Sequence, residues 1–413
     1  MQKNSSNFKW FVCFLLFVIT AINYMDRQVI GLLKETLSEE FHWNEYDYSY
    51  IIMGFQCAYA VGSFLMGYLI DRVGVRKGFV IVAFFWSLAT AAHALAGSVL
   101  GFLLARVMLG LFEGGNFPAA VRAVSTNFPK SERALANGLF NSGSNVGAIA
   151  APLLIPFIAA FHSWQASFVA LGVLGLVWIV IWYFTYGEKP AANFDDEDGE
   201  TRAKPQKKAS WFELMTHGSS WAYIVGMAMS GPIWWFYLFW TPSFMEKNFK
   251  AGLADVAAPL ALIYAIACVG SVAGGWISSA LIKRGKSVNF SRKIALLICA
   301  CCVCPVAFAQ SAQNMWIAAC LIGLAGAAHQ GFSANLYAMA GDVAPKNLVA
   351  SLTGCGTAFS SAASFVLSLT IAHIVSITGS YEILFYGASV SYLLAVLIIH
   401  ILSPKLKPIS IAK

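Results

Sequence analysis

The sequence predicts an all-α integral membrane protein whose twelve transmembrane helices form two similar six-helix halves. Three observations predict this fold class: the composition, the spacing of apolar runs and an internal repeat. Of the 413 residues, 58% are hydrophobic and only 11% are charged, and the mean hydropathy is +0.67. A soluble domain carries roughly a quarter charged residues, so a water-soluble protein is excluded.

The apolar runs are roughly 16 to 28 residues long, comparable with the roughly 20 residues of helix that cross a bilayer core. They occupy residues 10–33, 48–70, 79–96, 102–125, 134–160 and 168–186, and then 221–245, 257–282, 294–309, 316–340, 348–375 and 383–402. Hydrocarbon cannot satisfy backbone hydrogen bonds, and the runs are too long for barrel strands, so each is predicted to be a helix. The first run is interpreted as a retained span, because it continues too far for a signal peptide and lacks a small-residue cleavage site.

Basic residues indicate the orientation in the membrane. Most of the 27 lysine and arginine residues fall in the even-numbered connections and near the two ends of the chain. Lys34, Lys247 and Lys250 lie in the odd-numbered connections, and Arg27 and Arg106 lie within apolar runs. The positive-inside rule therefore predicts that both termini are cytoplasmic.

The longest polar segment follows the sixth apolar run and contains an acidic stretch at 195–198 followed by lysines. We expect residues 188–211 to form a cytoplasmic linker between an N-terminal half, 1–187, and a C-terminal half, 212–413. The linker is interpreted as a solvated spacer, and a regulatory docking segment is the other interpretation.

The two halves contain matching connections. The one after the fourth run reads NFPKSERALANG from Asn127, and the one after the tenth reads DVAPKNLVASLTG from Asp342. GYLIDRVGVRK from Gly67 has a degenerate counterpart, GWISSALIKRGK from Gly275. Duplicated six-helix halves are the plan of many secondary carriers, in which the substrate site lies between the halves.

Two ionisable residues stand next to each other in the first apolar run. Asp26 and Arg27 follow Asn23, and Arg27 lies about 25 Å along the helix from Trp10 at 1.5 Å per residue. Charged side chains inside a membrane usually face a cavity or a partner. Adjacent helical residues point about 100° apart, so Asp26 and Arg27 cannot address the same ligand, whereas Asn23 shares the face of Arg27. We predict that Arg27 binds a substrate carboxylate, with hydrogen bonds from Asn23 and Tyr59; the other interpretation is a structural salt bridge from Arg27 to a carboxylate of another helix.

Two further charges occur in the fourth run. Arg106, Gly110 and Glu113 recur at helical spacing, which puts both charges on one stripe, two turns apart. Burial disfavours the charged form of Glu113 and a nearby arginine favours it, so its protonation would depend on conformation, as proton coupling requires. A permanent bridge from Arg106 to Glu113 or Asp26 is the alternative.

Neutral polar residues in the other helices could recognise a polyol. The offset that pairs the two repeat connections also pairs Glu113 with His329, which could donate to a hydroxyl or a carboxylate or accept the coupling proton. The other candidates are Ser144, Asn145, Tyr237, Gln330 and Asn335. Hydrogen bonds between packed helices are the competing explanation for the serines and asparagines.

The motif at Gly67 closely resembles the signature loop of the major facilitator superfamily. The resemblance implies the twelve-helix major facilitator fold and a loop that latches helices in the outward-open state. Asp71, Arg72 and Arg76 would then be gating residues. The second copy of the motif has Ser279 where Asp71 aligns, so its latch is expected to be weaker.

Further motifs resemble the anion:cation symporter family within that superfamily. They are NYMDR at 23–27, Tyr59 and RVMLGLFEGGNFPA at 106–119. HSWQ at 162–165 and HQGFSAN at 329–335 look most like the hexuronate transporters, although Phe332 replaces the tryptophan usual in those proteins. The resemblance implies that Arg27 binds the carboxylate and that Asp26 and Glu113, with Arg106 as their partner, couple transport to protons.

The predicted function is proton-coupled import of a hexuronate, such as glucuronate or galacturonate, or of a similar sugar acid through the cytoplasmic membrane of a bacterium. A carrier of an aldonate, aldarate or aromatic carboxylate is the main alternative, and a uniporter, channel or sensor is another. No enzyme activity, cofactor, metal or nucleic-acid partner is expected, because the sequence contains no paired nucleophile and base and no metal-ligand spacing. The partners are the organic anion, protons and the bilayer, and the protein is expected to act as a monomer.

Overall fold

The computed structural model describes residues 3–187, 211–250 and 252–409, so the predicted linker lies almost wholly outside the described residues. These residues are helical in fifteen α-helices joined by short connections. In the first part of the chain the helices are α1 (Lys3–Leu32), α2 (Lys34–Phe41), α3 (Glu45–Val73), α4 (Val75–Ala92), α5 (Val99–Glu113), α6 (Asn116–Asn127), α7 (Lys130–Phe161) and α8 (Trp164–Thr185). The others are α9 (Trp211–Met215), α10 (Gly218–Phe249), α11 (Leu253–Lys283), α12 (Val288–Val303), α13 (Met315–Val343), α14 (Val349–Thr378) and α15 (Glu382–Leu402).

Helix starts follow from local sequence. Asn or Ser residues accept hydrogen bonds from the first free backbone N–H groups of five helices, which satisfies donors that have no partner within the helix. These N-caps are Asn44, Ser98, Ser163, Ser287 and Asn314.

The predicted membrane spans are confirmed. In the described residues eleven segments are long and apolar enough to cross a bilayer, and a bent pair, Gly218–Leu238 and Trp240–Phe249, makes a twelfth. The bend in α10 is 50° and precedes Pro242. A proline ring clashes with the carbonyl group four residues earlier, at Leu238, so Pro242 accounts for the bend.

Two local features differ from the predicted runs. The eight-residue helix α2 follows the first span, and the fourth span is divided into α5 and α6 at Gly114. Gly110 and Gly114 press against the backbone of α3, where an added Cβ would overlap the Phe55 carbonyl oxygen and the Ser63 nitrogen. Glycine at these positions therefore permits the close approach of α3 and α5.

The chain forms two compact units. The N-terminal unit contains Met1–Asn127, Gly143–Asn193 and Lys346–Ala358, and the C-terminal unit contains Phe128–Ser142, Phe194–Pro345 and Phe359–Lys413. Each unit thus includes a short segment from the other half of the sequence: the start of α14 in the first and the start of α7 in the second.

The exchanged segments make equivalent contacts in the two units. In the N-terminal unit, Gly67 of α3 lies against the carbonyl oxygen of Ala350, which an added Cβ would approach to 2.5 Å. In the C-terminal unit, Gly275 of α11 lies in the same way against the carbonyl oxygen of Ala134. These four residues correspond to one another in the repeat identified from the sequence.

Candidate substrate and proton sites

An ion pair between α1 and α5 is the most prominent polar feature of the N-terminal unit. The Nε atom of Arg27 donates to Oε2 of Glu113 at 3.0 Å. The Glu113 side chain is fully buried and that of Arg27 is 9% exposed. The structural salt bridge that the sequence left open for Arg27 is therefore present in this conformation.

The remaining surroundings hold the Arg27 guanidinium in place. Its Nη2 atom donates to Oδ1 of Asn23 at 2.9 Å, which confirms that these two residues share one helix face. Its Cζ atom lies 4.4 Å from the Tyr59 ring centroid and 4.9 Å from that of Tyr24, both within cation–π range. The sequence predicted Tyr59 near Arg27, and the structure brings Asn23, Tyr59 and Glu113 together around it.

Asp26 points away from this group and is completely buried. Neither of its carboxylate oxygens has a hydrogen-bond partner among the residues that the structure describes. The backbone carbonyl of Asp26 accepts from Nη1 of Arg106 at 3.4 Å, whereas Nε and Nη2 of Arg106 find no partner in the described part of the chain. The predicted side-chain bridges from Arg106 to Asp26 or Glu113 are absent from these residues.

The four ionisable groups form one electrostatic cluster. Asp26 interacts through its charge with Glu113, Arg106 and Arg27. With all four groups ionised the cluster is neutral, because two carboxylates balance two guanidinium groups. Adding one proton to a carboxylate leaves one excess positive charge in a buried site, where an uncompensated charge is costly.

The polar residues around His329 in the C-terminal unit are neutral and hydrogen-bonded to one another. His329 of α13 contacts the Tyr392 hydroxyl of α15 through Nδ1 at 2.7 Å and Ser333 through Nε2 at 3.2 Å. Its ring stacks on that of Trp234 in α10, with 5.2 Å between centroids and 8° between planes. The sequence identified His329 but not Tyr392, because a single tyrosine in an apolar helix resembles an ordinary core residue.

Other predicted substrate residues are buried, and some contact only protein. The side-chain amide of Asn141 donates to Gln330, and that of Asn335 donates to the carbonyl oxygens of Gly274 and Gly331, both at 2.9 Å. These contacts are typical of helix packing.

Three more predicted substrate residues lie elsewhere. Ser144 and Asn145 are buried in the part of α7 that belongs to the N-terminal unit. Tyr237 is buried in the C-terminal unit, and its hydroxyl has no partner in the described residues.

The predicted gating residue Asp71 caps a helix. Its carboxylate accepts from the backbone N–H groups of Ala350 and Ser351, at 3.3 and 2.6 Å, at the start of α14. It also forms an ion pair with Arg122 at 2.9 Å. A carboxylate at a helix N-terminus is stabilised by the helix dipole as well as by these hydrogen bonds.

The basic residues of the same motif have other contacts. Arg72 lies over the Tyr68 ring at 4.4 Å, and Arg76 donates to the backbone carbonyl of Tyr183. Arg122, which the sequence did not single out, is the ion-pair partner of Asp71. The only sequence signal for Arg122 was its position near the end of the fourth apolar run, beside the loops that carry the repeat motifs.

The C-terminal unit has a neutral counterpart of the Asp71 cap. The hydroxyl of Ser279 accepts one hydrogen bond, from the backbone N–H of Leu135 at 3.2 Å, near the start of α7. Leu135 corresponds to Ser351 in the repeat. Where Asp71 accepts two hydrogen bonds as a charged group, Ser279 therefore accepts one as a neutral group.

A separate buried charge cluster lies next to Ser279 in the C-terminal unit. Asp342 pairs with Arg133 at 3.0 Å and with Arg292 at 2.8 Å. Arg292 also donates to Ser278 and to the Lys130 carbonyl, both at 2.7 Å. This cluster ties the start of α7 to α12 and α13.

No group of three or more histidine, cysteine, aspartate or glutamate side chains in the described ranges could hold a metal ion.

Eleven or twelve candidate membrane spans in the described residues, with charged groups buried among them, are typical of membrane transporters. The chain belongs to the Major Facilitator Superfamily, whose family model matches residues 16–367.

Several curated bacterial proteins are similar along most of the chain. The hexuronate transporter of Escherichia coli strain K12 is 28% identical over 410 residues, covering 96% of this chain and 94% of that protein. The galacturonate transporter of Dickeya chrysanthemi is 29% identical over 70% of this chain and 87% of its own length. A probable galactarate/D-glucarate transporter of Bacillus subtilis, GudP, is 27% identical over 94% of this chain and 92% of its own. The chain is therefore similar along most of its length to transporters of these compounds.

Solved structures share the fold. The proton:xylose symporter XylE, bound to 6-bromo-6-deoxy-D-glucose, matches with a TM-score of 0.77 at 14% identity over 98% of both chains. The transporter FucP in the outward conformation matches with a TM-score of 0.71 at 13% identity, covering 95% of this chain and 98% of that one. These likenesses confirm the major facilitator fold.

Proposed function

We propose that the protein imports a hexuronate, such as glucuronate or galacturonate, together with a proton, by alternating access across the cytoplasmic membrane of a bacterium. The similar transporters of hexuronate and galacturonate support the substrate class. The ion pair between Arg27 and Glu113 supports proton coupling and is the observation on which the proposal rests.

Substrate and Glu113 compete for one guanidinium. A carboxylate is bound best by two parallel N–H groups of an arginine, and Glu113 occupies Nε of Arg27 in this conformation. A substrate carboxylate can take that place only if Glu113 leaves it. Protonation removes the charge of Glu113 and weakens its hold on Arg27, so binding of the anion and of the proton favour each other.

Charge balance leads to the same coupling. The cluster of Asp26, Arg27, Arg106 and Glu113 is neutral when all four groups are ionised. One proton and one monoanion entering together leave it neutral, whereas either one alone leaves an uncompensated buried charge. The expected stoichiometry is therefore about one proton per hexuronate.

The other residues have supporting roles in this proposal. Asn23 and Tyr59 hold the arginine and hydrogen-bond the bound carboxylate. Asp26, next to Arg106, is a second carboxyl group that can take the proton during the transport cycle. The neutral residues Ser144, Asn145, Tyr237, His329 and Gln330 are the proposed contacts of the sugar hydroxyls, and Asn335 supports them through helix packing.

A second candidate substrate is an aldarate or aldonate. It is favoured by the similarity to galactarate/D-glucarate and D-galactonate transporters at 25% to 28% identity. Aldarates carry two carboxylates. A single guanidinium binds one carboxylate, which favours a monoanion such as a hexuronate over an aldarate.

Gating is proposed to involve Asp71 with Arg122. Asp71 holds the start of α14 in this conformation. These hydrogen bonds must break when the carrier opens to the other side. Arg72 and Arg76 hold the same loop to neighbouring aromatic side chains. Both termini are proposed to be cytoplasmic, and the transporting unit to be a monomer.

Uptake of labelled glucuronate into proteoliposomes tests the proposal. An inward proton gradient should drive accumulation above the external concentration, and galacturonate should compete more strongly than galactonate or glucarate. Without the gradient only equilibration is expected. Failure to accumulate any of these sugar acids under an imposed gradient would contradict proton symport.

A further inference from the structure

A continuous line of hydrogen bonds crosses the C-terminal unit from α13 to α10. Ser333 contacts Nε2 of His329 at 3.2 Å, and Nδ1 of His329 contacts the Tyr392 hydroxyl at 2.7 Å. The Tyr392 hydroxyl in turn contacts the backbone carbonyl of Ser230 at 3.2 Å. The line joins side chains of two helices, α13 and α15, and ends at a backbone group of a third, α10.

The end of the line sets the direction of every hydrogen bond in it. A backbone carbonyl can only accept, so the single proton of the Tyr392 hydroxyl points to Ser230. The Tyr392 oxygen must then accept from His329, which puts the imidazole proton on Nδ1. Nε2 is left as an acceptor, and Ser333 must donate its hydroxyl proton to it. The lone pairs of Ser333 therefore point away from the line.

The ring of His329 is held in this orientation by its neighbours. One face stacks on Trp234, and the Tyr392 ring meets it edge-on, at 83° between planes and 6.0 Å between centroids. Tyr392 is fully buried, whereas His329 and Ser333 each keep 6% of their surface exposed. A rotated imidazole would lose the stack on Trp234 and the hydrogen bond to Tyr392. The line therefore presents hydrogen-bond acceptors at its exposed end, where Ser333 and His329 lie.

We propose that Ser333 and His329 form an acceptor subsite for a hydroxyl group of the sugar, and that Tyr392 is a positioning residue that fixes the His329 tautomer. This inference rests on the proposed function for the identity of the ligand. A substrate hydroxyl donates to Ser333, which already donates to His329, so all hydrogen bonds keep one direction. A carboxylate brings only lone pairs and finds no donor here.

The sequence left three roles open for His329, and the line of hydrogen bonds fits none of them. A donor to a hydroxyl or to a carboxylate needs a proton on Nε2, and a carrier of the coupling proton needs protons on both nitrogens. The line from Ser230 assigns neither. His329 is instead a neutral acceptor that distinguishes hydroxylated from deoxygenated substrates.

The tautomer can be measured without any substrate. Nitrogen NMR of the full-length protein with ¹⁵N-labelled histidine, in nanodiscs, resolves protonated from unprotonated ring nitrogens, and a His329→Gln variant assigns the signal among the seven histidines. The expected result is a protonated Nδ1 and an unprotonated Nε2. Tyr392→Phe should shift the population toward the Nε2–H form. A wild-type His329 protonated at Nε2, or at both nitrogens, would overturn the inference.

Tyr386→Phe is the matched control. Tyr386 lies on the same helix, but its hydroxyl donates to Glu382 at 2.9 Å and its ring is exposed. This variant should leave the His329 signal unchanged. An equal shift in both variants would mean that the Tyr392 hydroxyl does not fix the tautomer, which contradicts the inference.

Binding of deoxy analogues tests the ligand. Among monodeoxy forms of glucuronate, one should bind the wild-type protein about tenfold more weakly than glucuronate, because it leaves Ser333 without its donor. In Ser333→Ala the same analogue and glucuronate should bind equally. An undiminished preference in Ser333→Ala refutes the subsite. If no sugar acid binds the wild type, the proposed function fails. The NMR result then decides by itself which way the hydrogen bonds between Ser333 and Ser230 run.

Discussion

The two units bury polar groups of different kinds. The N-terminal unit holds two carboxylates and two guanidinium groups between α1 and α5, whereas the polar groups around His329 in the C-terminal unit are neutral and hydrogen-bonded to one another. Charged groups exchange protons and bind ions, and a neutral network fixes positions and recognises hydroxyls. This difference is the basis of a proposed division of labour, in which the N-terminal unit handles the anion and the proton and the C-terminal unit recognises hydroxyl groups.

The same contrast recurs where the start of a helix from one half of the sequence joins the other unit. Asp71 and Ser279 occupy corresponding places and accept hydrogen bonds from corresponding residues, Ser351 and Leu135. The glycine contacts beside them are preserved in both copies. The two units therefore share these backbone contacts, whereas the cap is charged in the N-terminal unit and neutral in the C-terminal unit.

Removing the arginine should have the largest effect. In Arg27→Ala the substrate carboxylate loses its charged donors, each hydrogen bond to a charged group contributing about 1.5–3 kcal/mol. Affinity for glucuronate should fall at least about 100-fold, because two such bonds are lost. Isothermal titration or a fluorescence binding assay measures this directly.

Lys34→Ala is the matched control, because Lys34 is a basic residue whose ion pair with Glu45 is exposed. It should bind glucuronate normally, since surface ion pairs contribute little. Wild-type affinity in Arg27→Ala would refute the assignment of the carboxylate to this arginine and remove the proposed division between the units.

Replacing Glu113 should separate binding from coupling. Glu113→Gln cannot gain or lose a proton, so the variant should exchange glucuronate across the membrane but fail to accumulate it under a proton gradient. Its binding should also lose the dependence on pH expected for the wild type, whose affinity should rise as pH falls because a proton is bound with the anion. Gradient-driven accumulation by the variant would show that another group carries the proton.

The two helix caps should respond unequally. Asp71→Asn removes the charge that faces Arg122 and the start of α14, and leaves the half-buried Arg122 without its ionic partner. The transport rate should fall about tenfold while glucuronate affinity changes little, because only gating is affected. Ser279→Ala loses one neutral hydrogen bond and should change the rate less than about twofold. Equal effects in a proteoliposome uptake assay would contradict the proposed difference between the caps.

Much of the fold followed from the sequence because the bilayer leaves few choices. Apolar runs of sufficient length must be helices, because hydrocarbon cannot satisfy backbone hydrogen bonds. The short helix α2 was missed, since eight mixed polar and apolar residues carry little pattern. The exchange of the starts of α7 and α14 depends on packing between distant segments, which a single sequence does not reveal.

The site was predictable where charge stood out against an apolar background. Asp26, Arg27, Arg106 and Glu113 were all found in this way, and helical spacing correctly paired Asn23 with Arg27. Which carboxylate holds Arg27 depends on how α1 and α5 pack, so the sequence could offer the pair with Glu113 only as one alternative.

Residues whose role lies in a single hydroxyl or a single terminal charge were not recognisable. Tyr392 looks like any buried aromatic residue in an apolar helix, and Arg122 looks like an ordinary basic residue at the end of a span. Their partners, His329 and Asp71, were identified from the sequence, and only the structure connects each pair.

Proton uptake on binding tests the central claim, that the substrate carboxylate replaces Glu113 at Arg27. Glucuronate is added to the purified protein in weakly buffered solution with a pH indicator, and the protons taken up are compared with the substrate bound. The wild type should take up about one proton per substrate and Glu113→Gln none. Binding without proton uptake by the wild type, or equal uptake by the variant, would contradict the account.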